Sequence, residues 1–151
     1  MTNVVWKLYV DGAAKGNPGP AGIGIYIAKA NHPYWQESWY IGEATNNQAE
    51  YCALLVGLYR LLTWHQPGES VAIYSDSQLL VKQITGAYKI KNTALKPLYQ
   101  KATRLLNGVS SYTVTHVPRE HNKEADRLAN DALKQYNALP SYLHVLCSIE
   151  E

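Results

Sequence analysis

Four acids stand where an acid is out of place. Asp11 and Asp76 each close an apolar run rich in branched and aromatic residues, "VVWKLYV" and "SVAIYSD", although Asp is a poor strand residue. Glu50 lies one turn before Leu54, on the apolar stripe of a helix and facing the core. Asp126 repeats the anomaly, sharing a helix face with Ala129 and Leu133 near a helix start. Each acid alone has an ordinary explanation. An Asp after a strand opens a turn, and "NQAE" fits a capping box with Asn47 as cap and Glu50 reaching back to it. Two acids at strand ends and two turned inward need such explanations four times over.

Carboxylates gathered in a partly buried pocket repel one another and take up protons unless cations compensate. Oxygen-only ligands favour Mg²⁺ or Mn²⁺ over zinc, which prefers His and Cys. Paired hard cations about 3.5–4 Å apart are the usual apparatus for in-line attack on a phosphodiester. The chemistry implied is metal-dependent phosphoryl transfer.

The elements that must position these acids are readable in outline. Strands are predicted over 4–10, 22–29 and 36–42, joined by short turns into an antiparallel meander. A helix begins near Gln48, carries leucines 54, 55, 58, 61 and 62, and stops at "QPGE". "SVAIYSD" (70–76) is a compact strand followed by the short helix "SQLLVKQI". A helical pattern spans Leu95 to Leu106, and "SYTVTHV" (111–117) is the last strand, stopped by Pro118. The final helix covers 122–136 with Asn122 as a natural N-cap. The order βββαβααβα describes a mixed sheet with helices on its faces. If the strands ending at Asp11 and Asp76 are parallel neighbours, their carboxyl ends meet where ligands bind in open α/β sheets.

At 151 residues the chain suits one domain. We divide it into a domain over 1–137 and an apolar tail over 138–151 that docks on it. Apolar residues make up 46% and charged ones 17%, a globular balance. Neither a signal peptide nor a run of roughly 20 apolar residues is present, so a cytoplasmic protein with no membrane partner is expected. Net charge is only +2, so any polyanion must be met by local Lys and Arg. Cys52 and Cys147 lack metal-site spacing, and in a cytoplasmic chain they read as two buried thiols. A bond between them is the minority alternative, open if the tail packs on the first helix.

The stretches "YVDGAAKGNPGPAGIG", "ATNNQAEYCALL", "IYSDSQLLVKQI" and "HVPREHNKEADRLA" resemble, in order, the type 1 ribonuclease H family. The similarity is to the form without a basic protrusion or a preceding hybrid-binding domain. It implies a five-stranded mixed sheet of order 3-2-1-4-5 flanked by helices. It also implies sequence-independent cleavage of the RNA strand of RNA–DNA hybrids, leaving 5′-phosphate and 3′-hydroxyl ends, and a monomer is expected. Carried over by motif, Asp11, Glu50, Asp76 and Asp126 hold two Mg²⁺ ions, with Mn²⁺ able to substitute. His121 in "REHN" matches a mobile histidine that assists proton movement or product release. By the same resemblance Gly12 and the small residues after Asp11 let the backbone approach the sugar-phosphate chain. Asn17, Asn46 and Asn47 match readers of the minor groove and its 2′-hydroxyls, and Thr45 matches a DNA-phosphate contact. Turn and capping roles remain open for these asparagines. Lys89 and Lys91 in "YKIK" are left to touch phosphates. A DNA strand-transfer or exonuclease domain would share the acids but lack "TNNQAE" and "REHN". A non-catalytic hybrid binder has no use for four carboxylates. A dinucleotide or ATP enzyme would need GxGxxG before a helix, or GK[ST], and neither is present.

Overall fold

The computed structural model describes residues 4–148. Its elements run β1 (Val5–Ala14), β2 (Gly19–Lys29), β3 (His32–Ala44), α1 (Asn46–Trp64), β4 (Ser70–Ser75), α2 (Gln78–Ile84), α3 (Lys96–Leu106), β5 (Tyr112–His116) and α4 (Lys123–Gln135). The five strands form one sheet of order β3-β2-β1-β4-β5. The first three are antiparallel neighbours, whereas β1–β4 and β4–β5 are parallel. The expected mixed sheet is therefore the one observed.

Alternation along the strands builds two faces. Leu8, Val10, Ile23, Ile25, Ile27, Val71 and Ile73 are buried in one core with the leucines of α1. The opposite face of β2 presents Gly22 and Gly24 to α4. A Cβ at Gly24 would lie 2.2 Å from the Ala125 carbonyl oxygen and 2.5 Å from the Ala129 nitrogen. These glycines let α4 rest almost directly on the backbone of β2. Gly24→Ala must push α4 outward, and overpacking of this kind costs about 1–3 kcal/mol. A drop of that size in unfolding free energy, read from urea titration, is the expected result; an unchanged midpoint would contradict the close fit.

Three local expectations are corrected. β1 does not end at Asp11 but continues to Ala14, because Gly12, Ala13 and Ala14 pair with Ile23, Gly22 and Ala21 of β2. The cap of α1 is Thr45, not Asn47: Thr45 Oγ1 accepts from the Gln48 amide at 3.1 Å, and Gln48 Oε1 accepts from the Thr45 amide at 2.8 Å. A T-x-x-Q capping box, two residues earlier than expected, leaves Glu50 free for another partner. The two cysteines are not free thiols either. Cys52 and Cys147 are joined, with their Cα atoms 5.0 Å apart.

That bond is one of several ties on the tail. Tyr40 on β3 donates to the Asn137 carbonyl at 2.7 Å and accepts from the Leu139 amide at 2.9 Å. Leu139 and Leu143 enter the core. The Arg60 guanidinium, ion-paired to buried Glu37 at 2.7 Å, donates to the Tyr142 hydroxyl at 2.9 Å. Residues 149–151 of the expected tail lie outside the described residues. Among the described residues, no helix is long and apolar enough to cross a membrane.

Candidate active site

The parallel pairing of β1 with β4 aligns Val10 with Ser75, so Asp11 and Asp76 emerge side by side. α1 then brings Glu50 to the same spot, since its first turn packs on Gly12. A Cβ at Gly12 would fall 2.3 Å from the Ala49 carbonyl carbon, so only glycine permits this approach. The Gly12 amide donates to Glu50 Oε1, which pins the carboxylate against β1. Carboxylate oxygens of Asp11, Glu50 and Asp76 all lie within 4.8 Å of one another.

Asp126 lines the same cavity, of about 350 Å³, from the start of α4, but it is not part of that tight trio. Its side chain is 27% exposed and its Oδ1 lies 3.2 Å from Arg119 Nη2. It is thus less inward-facing than its place on the apolar stripe suggested. The Asn130 amide braces it, donating to its Oδ1 at 3.3 Å.

The trio carries the electrostatic signature of crowded acids. Burial first, then the charge and hydrogen bond of Glu50, push the Asp11 carboxyl up to about 10, with Asp76 and Asp126 adding to the rise. Burial likewise pushes Glu50 up to about 7, against hydrogen bonds from Asp11 and the Gly12 amide that pull it down. Without cations the pair retains a proton at neutral pH. Glu50 Oε2 is buried and has no hydrogen-bond partner among the described residues.

The surrounding residues sort themselves by position. Asn17 Oδ1 accepts from the Asn46 amide at 3.0 Å, and Asn46 Oδ1 accepts from the Ala14 amide at 2.9 Å. These bonds tie the glycine-rich turn to the start of α1, so the two asparagines form one platform beside the acids. Asn47 is exposed on the cavity rim. Thr45 caps the helix while remaining partly exposed. His121 is exposed on a 3-10 turn over Arg119–His121, and it lines a neighbouring cavity with Lys7 and Tyr9 rather than the acidic one. Lys89 and Lys91 are exposed beyond α2.

Sequence reasoning passed over Arg119 and Ser75, and read Asn122 only as a helix cap. Arg119 reaches Asp126 and lines the acidic cavity; its place in "PREHN", seven residues before Asp126, was the available signal. Ser75 is fully buried and its Oγ accepts from the Ser77 amide at 3.0 Å, shaping the turn that carries Asp76. Asn122 stands at the N-cap position, but its side chain makes no capping bond.

Known proteins share this fold. The crystal structure of RNase H1 from the halophilic archaeon Halobacterium salinarum superposes with a TM-score of 0.82 at 39% identity, covering 87% of this chain and 98% of that one. LC11-RNase H1, solved in complex with RNA/DNA hybrid, gives 0.81 at 37% identity and covers 88% and 98%. The sheet order, with Asp11 on β1 and Asp76 just after β4 in its central parallel pair, defines a ribonuclease H-like protein. Within that class the chain belongs to the family described as reverse transcriptase-like, which matches residues 9–132. Among curated relatives, a ribonuclease HI of Halobacterium salinarum is 41% identical over 126 residues, which is 83% of this chain and 62% of that protein. A bifunctional protein of Mycobacterium tuberculosis is 40% identical over 125 residues, 82% of this chain and 34% of that protein. The chain therefore spans 62% and 34% of the length of these two relatives.

Proposed function

We propose that the protein is an endoribonuclease that hydrolyses the RNA strand of RNA–DNA hybrids without sequence selectivity, leaving 5′-phosphate and 3′-hydroxyl ends. The observation that carries this reading is the meeting of Asp11, Glu50 and Asp76 oxygens within 4.8 Å, in a cavity that Asp126 also lines. The similarity to a hybrid-bound RNase H1 across 88% of the chain supports the choice of substrate. The proposal includes a monomeric, cytoplasmic protein whose catalytic domain is 1–137, with the described part of the tail, 138–148, docked on it.

The donor set fits divalent cations. It is all oxygen, it holds a buried unpaired atom at Glu50 Oε2, and its acids are driven to keep protons that cations would displace. Asp11, Glu50, Asp76 and Asp126 are the residues that would hold two Mg²⁺ ions, or Mn²⁺ in their place. Bound there, such ions stabilise charge on phosphoryl oxygens and lower the cost of deprotonating water.

The chain's own residues do the rest. Gly12 gives the phosphate backbone room to approach the strand end, with no side chain between them. The Asn17–Asn46 platform and Asn47 face the minor groove, where 2′-hydroxyls distinguish RNA from DNA. Thr45, oriented by its capping bonds, presents a hydroxyl to a phosphate of the DNA strand. Lys89 and Lys91 add charge along the duplex. His121, on an exposed turn next to the helix that carries Asp126, moves a proton between the site and solvent.

The test is incubation with Mg²⁺ and a labelled RNA–DNA hybrid, beside double-stranded RNA and double-stranded DNA. Cleavage of the hybrid's RNA strand alone is expected. Cutting of DNA, or no cutting in either Mg²⁺ or Mn²⁺, would reject the reading. His121→Ala should slow turnover about 10²-fold without eliminating it; wild-type kcat in steady-state assays would remove His121 from the proton path.

A further inference from the structure

We propose that Asn122 is a positioning residue that fixes the start of α4, and with it Asp126 and the His121 turn, in register with Asp11. This rests on the reading that the acids form a metal-dependent hydrolytic site. Asn122 is 1% exposed. Its Nδ2 donates to the Val10 carbonyl at 2.9 Å, a bond across 112 residues to the position just before Asp11. Its own carbonyl accepts from the Asp126 amide at 3.0 Å, and its amide donates to the Arg119 carbonyl at 2.9 Å, closing the turn that holds His121. One residue thus touches the strand of the first acid, the helix turn of the last and the loop of the histidine.

Stability alone does not account for this choice of residue. At an N-cap position an Asn side-chain oxygen normally accepts from the first turn of its own helix. Here that capping bond is not made, and Oδ1 is buried with no partner among the described residues. The amide is turned to β1 at the expense of the helix it begins. The packing of α4 on Gly22 and Gly24 sets how closely the helix approaches the sheet, yet small-residue contacts resist sliding along the helix axis weakly. The Ser38 hydroxyl on β3 donates to the Leu128 carbonyl midway along α4, and the Asn122–Val10 bond supplies the axial constraint at the end of the helix that carries Asp126. Displacements near 1 Å among reacting groups cost about 10²-fold in rate, and losing a partner that orients a metal ligand costs about 10–100-fold in activity or metal affinity.

Asn122→Ala and Asn122→Ser should be compared with the wild type at 25 °C for kcat and KM on an RNA–DNA hybrid. The same proteins are titrated with Mg²⁺, reading both activity and the Mg²⁺-induced rise in Tm. For Asn122→Ala, kcat should fall about 10–100-fold and the half-saturating Mg²⁺ concentration should rise about tenfold, with KM for the hybrid within about twofold. Asn122→Ser keeps a donor of shorter reach and should fall between; it is read in the same way if the alanine variant does not fold. A folded variant with lowered Tm but unchanged kcat and Mg²⁺ dependence would overturn the proposal. A wild type that binds Mg²⁺ without cutting hybrid would reject the nuclease reading, and the Mg²⁺ titration of Tm would still decide the role of Asn122. A wild type whose Tm ignores Mg²⁺ would overturn both.

Discussion

Asp11→Asn is expected to stop hybrid cleavage and, in the same protein, to raise the melting temperature measured without metal. Both effects have one cause. Asp11 is buried beside Glu50 and Asp76, an arrangement that suits cations and is unfavourable without them. The activity loss should reach about 10³-fold or more, because the substitution removes a carboxylate that would hold the cations needed to stabilise charge on the reacting phosphate. The stability gain follows from linkage. Folding raises the carboxyls of Asp11 and Glu50, to about 10 and about 7, so the folded protein keeps protons that the unfolded chain releases. Relative to a neutral side chain, the wild type is most favoured below about pH 4, where both states are protonated. It loses stability as pH rises towards the folded values. A pair that keeps one proton up to pH 7 costs about 4 kcal/mol at most, at about 1.4 kcal/mol per pH unit. Thermal melts from pH 4 to pH 8 in chelator should show the variant's advantage growing with pH. Adding Mg²⁺ should raise the wild-type Tm and close the gap. Near-normal turnover, or a Tm difference indifferent to both pH and Mg²⁺, would show that Asp11 does not carry the crowded charge assigned to it.

What the sequence disclosed and what it hid divide along a physical line. The succession of strands and helices along the chain and the four suspect acids were legible because period-2 and period-3.6 patterns and misplaced polarity are local signals, whereas the order of strands within the sheet came from the family resemblance. The partners of polar groups were not. "TNNQAE" supports two capping boxes, Thr45 with Gln48 and Asn47 with Glu50. The choice between them was made by the Gly12 amide, 38 residues away, which takes the Glu50 carboxylate. Asn122 fits a cap in every local respect, and the Val10 carbonyl claims its side chain instead. Gly12–Ala14 look like the opening of a turn because β-propensity disfavours them, yet β2 continues the ladder past Asp11. In each case a contact distant in sequence overrode a sound local preference, and these distant contacts are the ones that shape the acidic cavity.

Removing the bond between Cys52 and Cys147 should produce the largest loss of stability of any change away from the acids. It closes a loop with a sequence separation of 95, and for loops near 100 residues the chain-entropy account gives about 4.7 kcal/mol. For a chain of this size that lowers Tm by about 9–19 °C, at roughly 2–4 °C per kcal/mol. The sequence argued against the bond because cytoplasmic thiols are normally reduced. Its geometry depends on the tail crossing α1, which "LPSYLHVLCSIEE" does not reveal. Cys52 is 1% exposed, so reducing thiols reach the bond only from the Cys147 side. The tail itself should stay docked after reduction, held by Leu139 and Leu143 in the core, by the backbone bonds to Tyr40, and by Arg60 on Tyr142. Cleavage at 25 °C should then change by less than about twofold, because the bond lies behind α1 and touches none of the four acids. Melts of the Cys52→Ser, Cys147→Ser double variant beside the oxidised and the dithiothreitol-treated protein separate loss of the bond from loss of the tail. Equal Tm values for all three would mean that the cross-link contributes nothing; a collapse of activity at 25 °C would mean that it holds the first turn of α1, and hence Glu50, in place.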